Sequence, residues 1–397
     1  MSQSVNVSGI ASSAYVHIPF CRRRCFYCDF PVSVIGDRLR GETSGTISQY
    51  VETLCAEIAI TPALGQPLKT IFFGGGTPSL LSIEQLQRIL ATLERHFGIA
   101  SGVEISLEVD PGTFDLAHIS GYRSAGVNRV SLGVQAFQAE LLQVAGRSHS
   151  VADILSSVEL IHQVEIAEFS LDLISGLPHQ SLDQWQDSLN QAVALMPTHI
   201  SIYDLTIEPG TAFGRYYKPG DHPLPTDEIT VQMYQMGQQV LTNAGYDHYE
   251  ISNYALPGHQ CRHNRVYWEN RPYYGFGMGA ASYIQGKRFT RPRKTLEYYQ
   301  WVQAGAVIDC PATPPEEVLL ETLMLGLRLA EGVSLVMLAE KFGEAQVEEI
   351  RQCLRVYFEK GWVEVLGERL RLSDPQGFLF SNVVLADLFN RFTLTQC

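Results

Sequence analysis

Cys21, Cys25 and Cys28 lie in the run Tyr15-Val-His-Ile-Pro-Phe-Cys-Arg-Arg-Arg-Cys-Phe-Tyr-Cys-Asp-Phe30. A 4Fe-4S cubane takes one thiolate on each iron, so a loop supplying three leaves one iron open to chemistry. Zinc is the other metal such thiols could take, but the loop brings no fourth Cys or His at finger spacing unless His17 or a distant residue contributes. With no secretory signal in the chain a disulfide is the poorer reading, and simple packing stays open. Arg22, Arg23 and Arg24 either face solvent, offset the charge of thiolates and sulfides, or meet an acidic electron donor.

A second candidate is Ile71-Phe-Phe-Gly-Gly-Gly-Thr-Pro-Ser79, between a strand and a helix that opens at Ser82. Glycines permit positive φ and let a backbone approach a ligand, although any tight turn can use them. Polar residues then recur at or just past strand ends: Glu108, Gln135, Arg147 and Asp172. Singly, each reads as a cap or a structural hydrogen bond. Together, at the carboxyl ends of parallel strands, they would surround a ligand.

Cys261-Arg-His-Asn-Arg-Val-Tyr-Trp268 and the Gly-rich stretch Tyr273 to Tyr283 place His263 among aromatics. An imidazole flanked by flat rings suits an axial haem ligand, with Cys261 as a weaker thiolate candidate. It equally suits a histidine packed among Tyr267, Trp268 and Tyr273. Gly275, Gly277 and Gly279 lack the strand-then-helix setting of a dinucleotide fingerprint.

The elements that must position these residues alternate. Strand candidates are Tyr15 to Ile18, Thr70 to Phe73, Glu104 to Glu108, Arg129 to Gly133, Phe169 to Leu173 and Ile200 to Leu205. Helices lie between them, with capping boxes read at Thr46/Gln49, Ser82/Gln85 and Ser181/Gln184. Parallel strands need crossover helices, so the pattern predicts an α/β fold, an open partial β/α barrel of six units. From about Thr313 the pattern becomes helices at Glu316 to Leu329, Leu335 to Phe342 and Ala345 to Lys360, then strands at Trp362 to Val365 and Arg369 to Leu372. That sequence of elements predicts a small winged-helix-like unit. The expected division is a tail (1–13), the barrel (14–310, with an extension at about 245–285) and the winged unit (313–397).

A net charge of −13 over 397 residues argues against nucleic-acid binding, and Ser334 to Ser373 holds six Lys/Arg against seven Asp/Glu. The winged unit is therefore expected to act as a lid or docking element. No apolar run approaches the length of a membrane span, and the remaining cysteines, Cys55, Cys310, Cys353 and Cys397, read as packed or free thiols in a reducing cytoplasm.

The Cys-x3-Cys-x2-Cys loop after a strand resembles the signature of the radical S-adenosylmethionine (radical SAM) superfamily. More narrowly, Tyr-Val-His-Ile-Pro-Phe-Cys followed by Cys-Phe-Tyr-Cys-Asp-Phe resembles the family of oxygen-independent coproporphyrinogen III oxidases and the related HemW haem chaperones. The resemblance implies a 4Fe-4S cluster on the three cysteines. It implies SAM contacts from Tyr15, Tyr27, Gly75, Gly76, Thr77, Glu108, Gln135, Arg147 and Asp172, with Thr206 contributing through its backbone. Phe30 stands where the oxidases carry a further cysteine, and the segment before Tyr15 is shorter than theirs. Together with His-Asn-x-x-Tyr-Trp, these departures point to the chaperone branch, with haem as cargo, His263 as its ligand, an acceptor protein, and a reductant such as flavodoxin or ferredoxin.

Overall fold

The computed structural model describes residues 10–37 and 40–394; Cys397 and the first nine residues of the tail lie outside them. The chain runs β1 (Ser13–Ile18), β2 (Phe20–Cys21), β3 (Ser33–Val34), α1 (Gly45–Ile60), β4 (Leu68–Gly75), α2 (Ile83–Phe97) and β5 (Ile99–Val109). It continues through α3 (Leu116–Ser124), β6 (Arg129–Gln135), α4 (Ala139–Val144), α5 (Val151–Gln163), β7 (Glu168–Ser175), α6 (Leu182–Ala194) and β8 (His199–Asp204). The six predicted strands are all present, parallel, and adjacent in chain order: β1-β4-β5-β6-β7-β8.

After α7 (Ala212–Tyr216) and α8 (Asp227–Asn243) come three strands that the sequence did not announce. β9 (Asp247–Glu250) and β10 (Asn253–Ala255) extend the sheet beyond β8 in antiparallel fashion. α9 (Arg262–Trp268) follows, then β11 (Tyr274–Phe276), which adds to β1 in parallel. The result is a nine-stranded open sheet ending at β11 and β9. A hairpin of β12 (Ala281–Ile284) and β13 (Lys287–Thr290) and helix α10 (Thr295–Gln303) complete this part.

Successive strand residues point to opposite faces. On β5 the face bearing Ile105, Leu107 and Val109 joins the apolar core with α2 residues Leu86, Ile89 and Leu93. The other face carries Glu104, Ser106 and Glu108, so the surface turned away from this core is polar. Capping boxes occur at Ser82 and Ser181 as expected, and at Ser150 with Asp153, which was not read. The cap of α1 is Ser44, whose hydroxyl accepts from the Ile47 amide at 3.3 Å; Thr46 already lies inside the helix.

The C-terminal segment has its own apolar core, including Leu323, Leu338, Ile350, Leu370 and Val384. It comprises α11 (Pro315–Gly326), β14 (Val333–Ser334), α12 (Leu335–Phe342), α13 (Glu344–Cys353), α14 (Arg355–Glu359), β15 (Val363–Leu366), β16 (Arg369–Leu372), α15 (Gln376–Leu379) and α16 (Ser381–Leu394). The sheet order β14-β16-β15 has the form of a wing. α11 stops short of Leu329 because the next residues bond to the edge of the large sheet, through Ile251 N to Arg328 O (2.9 Å) and Ala330 N to Tyr249 O (3.0 Å). Among the described residues, no helix is long and apolar enough to cross a membrane.

Candidate functional site

Cys21 ends β2, whose pairing with β3 (Phe20 with Ser33, Cys21 with Val34) pinches the cysteine loop at its base. The loop is also tied at its middle: Phe26 N donates to Ala145 O at 3.0 Å and Phe213 N to Phe26 O at 2.9 Å. The cations help to shape it. Arg24 reaches the carbonyls of Cys28 (3.2 Å) and Phe30 (3.3 Å), Arg22 reaches that of Gly112 (3.0 Å), and Arg23 pairs with Asp37 at 2.8 Å.

Burial pushes the Cys21 thiol up to about 12 and raises that of Cys28, so thiolates here need a positive partner. His17 cannot complete a zinc site as it stands, because Nδ1 bonds to the Tyr15 hydroxyl (3.0 Å) and Nε2 to the Pro31 carbonyl (3.1 Å). Among the described residues no three His, Cys, Asp or Glu side chains gather to hold one metal ion.

The glycine turn meets the cysteine loop. Gly76 N donates to Ile18 O (2.8 Å) and Thr77 N to Phe20 O (2.7 Å). Gly75 has φ +113°, and a Cβ there would stand 2.4 Å from the His17 ring; one on Gly76 would stand 2.6 Å from the Phe20 carbonyl. These glycines let the turn pack closely against β1 and the Phe20 backbone. Gly75→Val is expected to displace β1 and Cys21, so that reconstituted protein loses cluster iron as well as SAM binding. Full iron content in that variant would contradict this reading.

Two carboxyls face each other across the strand ends. Glu108 accepts from Gly75 N at 2.9 Å, and burial followed by the charge of Asp172 pushes it up to about 8. Asp172 is raised to about 6 by burial, against hydrogen bonds from serines that hold its charged form; Ser131 Oγ lies 2.9 and 3.0 Å from its oxygens. A cationic ligand beside this pair would favour its ionised form.

Arg147 organises the other side. It donates to Asp110 Oδ1 at 2.5 Å, Gly133 O at 2.9 Å, Cys25 Sγ at 3.2 Å and Tyr27 Oη at 3.5 Å, and Thr77 Oγ1 donates to Asp110 at 3.2 Å. Gln135 closes β6 with φ +67°, an unusual backbone for a residue with a side chain. Thr206 lies past the end of β8 with an exposed side chain, away from any hydrogen bond to this group. Sequence reasoning missed Asp110, just past the end of β5, and the serines Ser131, Ser170 and Ser201, which β6, β7 and β8 place around Asp172.

His263 turns elsewhere. Its ring is fully buried, stacks on Phe72 (5.3 Å, 25°), and bonds through Nδ1 to Thr70 Oγ1 and through Nε2 to Tyr267 Oη, both at 2.8 Å. Neither nitrogen is open to iron in this conformation, and burial lowers the imidazole to about 3. Cys261 is buried too, its thiol raised to about 12. The motif instead docks α9 on the sheet: Glu104 of β5 accepts from the amides of Arg262 (3.1 Å) and His263 (2.9 Å).

Residues 15–192 match the family model of the radical SAM superfamily, and residues 313–380 that of the HemN C-terminal domain. The haem chaperone HemW of Synechocystis sp. is 48% identical, over 95% of this chain and 96% of its own length. The chain belongs to the HemW family. HemW of Bacillus subtilis and of Escherichia coli are each 36% identical over 94% of this chain and 97% of their own. The solved structure of coproporphyrinogen III oxidase (HemN) from Escherichia coli superposes with a TM-score of 0.82 over 96% of this chain and 92% of that one, at 23% identity, a likeness of fold. Radical SAM membership carries with it a 4Fe-4S cluster and SAM. Phe30 is 61% exposed.

Proposed function

We propose that this chain is a haem chaperone that holds a 4Fe-4S cluster on Cys21, Cys25 and Cys28, binds SAM at the strand ends, and passes haem to an acceptor protein. The observation that carries this is the near full-length identity of 48% with a HemW chaperone, against 23% for the oxidase. When bound, an open-iron cluster supplies a metal position for the amino-acid end of SAM and an electron for its sulfonium. The chain's own part is to hold the thiolates in a pinched loop and to offer Glu108 and Asp172 to a cation. Tyr15, Tyr27, Thr77, Gln135 and Arg147 frame that space, Gly75 and Gly76 shape the turn beneath it, and Thr206 adds only backbone. A cytoplasmic setting belongs to the same proposal, as does a small acidic reductant such as a flavodoxin or ferredoxin, for which the exposed Arg23 within the cysteine loop, paired with Asp37, offers a positive contact.

The carboxyl pair makes SAM binding pH-dependent. Below about 8 Glu108 is protonated in the free protein, and a cationic ligand must expel that proton. SAM affinity is therefore expected to rise by up to about tenfold per pH unit as the pH climbs toward 8, then to level off. Calorimetry between about pH 6 and pH 9 checks this, with Glu108→Gln expected to flatten the profile and weaken binding; an equally steep profile in that variant would clear Glu108 of the role.

His263→Ala removes a stacked, doubly bonded ring from the interface between α9 and β4. It is expected to cost about 3 kcal/mol of stability while leaving the haem spectrum unchanged. A lost or shifted Soret band would restore His263 as a ligand. The test of the function itself is transfer: haem-loaded protein mixed with a haem-free acceptor, such as an apo-cytochrome subunit, should lose its Soret absorption as the acceptor gains one. Haem retained by the donor, with no acceptor reconstituted, would defeat the chaperone reading.

A further inference from the structure

A cavity of about 420 Å³ opens between the cysteine loop and the turn that joins α4 to α5. Arg23, Arg24 and Phe26 line it from the loop, Leu142, Gln143 and His149 from the other side, and no carboxylate lines it. In a chain of net charge −13 such a lining is out of keeping with the whole. The carboxylates close by are engaged elsewhere: Asp37 pairs with Arg23 at 2.8 Å and Asp110 with Arg147, while Asp153 accepts from the Ser150 amide and Glu140 from Gln184 Nε2, both at 2.8 Å. Among the described residues Arg24 meets the carbonyls of Cys28 and Phe30 and no carboxylate, so its charge stands unneutralised at the surface.

The cavity also adjoins the cluster ligands. Arg147, a further part of its wall, donates to Cys25 Sγ at 3.2 Å. A redox group seated at the mouth therefore lies one side chain from a thiolate of the cluster. Phe26, at that mouth, is 43% exposed, and Phe30 of the same loop 61%. Exposed aromatics among arginines are the composition of a protein interface. The aromatic mouth suits a carrier that presents an aromatic redox group, a flavin, over one whose iron-sulfur group lies behind peptide.

We propose that this face docks a small acidic one-electron carrier of the flavodoxin type, one of whose carboxylates enters the cavity to meet Arg23 and Arg24. The inference rests on the reading of a reducible cluster fed by an acidic protein and specifies where that protein sits. One electron leaves the flavin, which passes from anionic hydroquinone to neutral semiquinone, and reduces the cluster once; no bond is made or broken.

Full-length protein carrying its cluster is mixed anaerobically with flavodoxin hydroquinone or with photoreduced deazaflavin, and bleaching of the cluster is timed. Calorimetry at low and high salt measures binding of the oxidised flavodoxin. Gln143→Glu, which puts a carboxylate into the cavity, and Arg23→Glu should each weaken binding and slow reduction by flavodoxin about tenfold at low salt, with the difference shrinking at high salt. Reduction by deazaflavin, iron content and SAM binding should stay native. Lys69→Glu, at the opposite end of β4, should change nothing. If Arg23→Glu loses iron, Gln143→Glu alone decides. Native binding and reduction by flavodoxin in Gln143→Glu would overturn this face and leave an acidic reductant standing. A native cluster reduced by deazaflavin but not by flavodoxin would overturn the carrier altogether, while the haem-chaperone reading stands.

Discussion

Replacing Cys21, Cys25 or Cys28 with alanine should abolish the brown iron-sulfur chromophore after anaerobic reconstitution, because a cubane left with two thiolates exchanges its ligands too readily to persist. Replacing Cys55, Cys261, Cys310 or Cys353 should leave it in place. Cys55 is buried among helices and Cys261 caps α9 beside Glu104, so neither can join the pinched loop. Iron and sulfide analysis alongside the visible spectrum checks the set. Loss of cluster iron from any of these four variants would establish a fourth protein ligand and remove the open iron on which the chemistry depends.

Arg147→Met should be the most damaging substitution outside the cysteines. Its guanidinium is 7% exposed and joins Asp110, the Gly133 carbonyl, the Cys25 sulfur and Tyr27. Removing it strands a half-buried carboxylate and frees the cysteine loop from β6. Breaking a buried pair by deleting one partner costs about 3–5 kcal/mol. The variant is therefore expected to melt markedly lower and to bind SAM poorly. Arg147→Lys keeps the charge without the fork, so it should reach Asp110 but not Gly133 and Cys25 together, and should fall between. Unchanged melting of Arg147→Met would show that these contacts carry little energy.

The six parallel strands were legible because each is a short, largely apolar run separated from the next by a capped helix. β9, β10 and β11 were not, since three or four residues owe their strand form to a sheet edge supplied from far along the chain. The site divides in the same way. Cys21, Cys25 and Cys28 announce themselves by spacing, which is local. Ser131, Ser170 and Ser201 do not, because a single serine in a strand is ordinary and only the register of β6, β7 and β8 gathers them at Asp172. Glycines at 75 and 76 signal close approach without naming what approaches, and β1 and Phe20 are among what does. His263 shows the same limit: its aromatic neighbours fit a haem site or a packed core equally well, and its hydrogen bond to Thr70, nearly two hundred residues away, is not legible from them.

The central claim, a radical SAM fold turned to carrying haem, is tested most directly by one anaerobic assay. Reconstituted protein is given SAM and a strong reductant, with and without coproporphyrinogen III, and both 5'-deoxyadenosine and decarboxylated tetrapyrrole are measured over many turnovers. The account predicts no decarboxylated product, and no rise in 5'-deoxyadenosine when the tetrapyrrole is added. Multiple turnovers of coproporphyrinogen III to its decarboxylated product would contradict it.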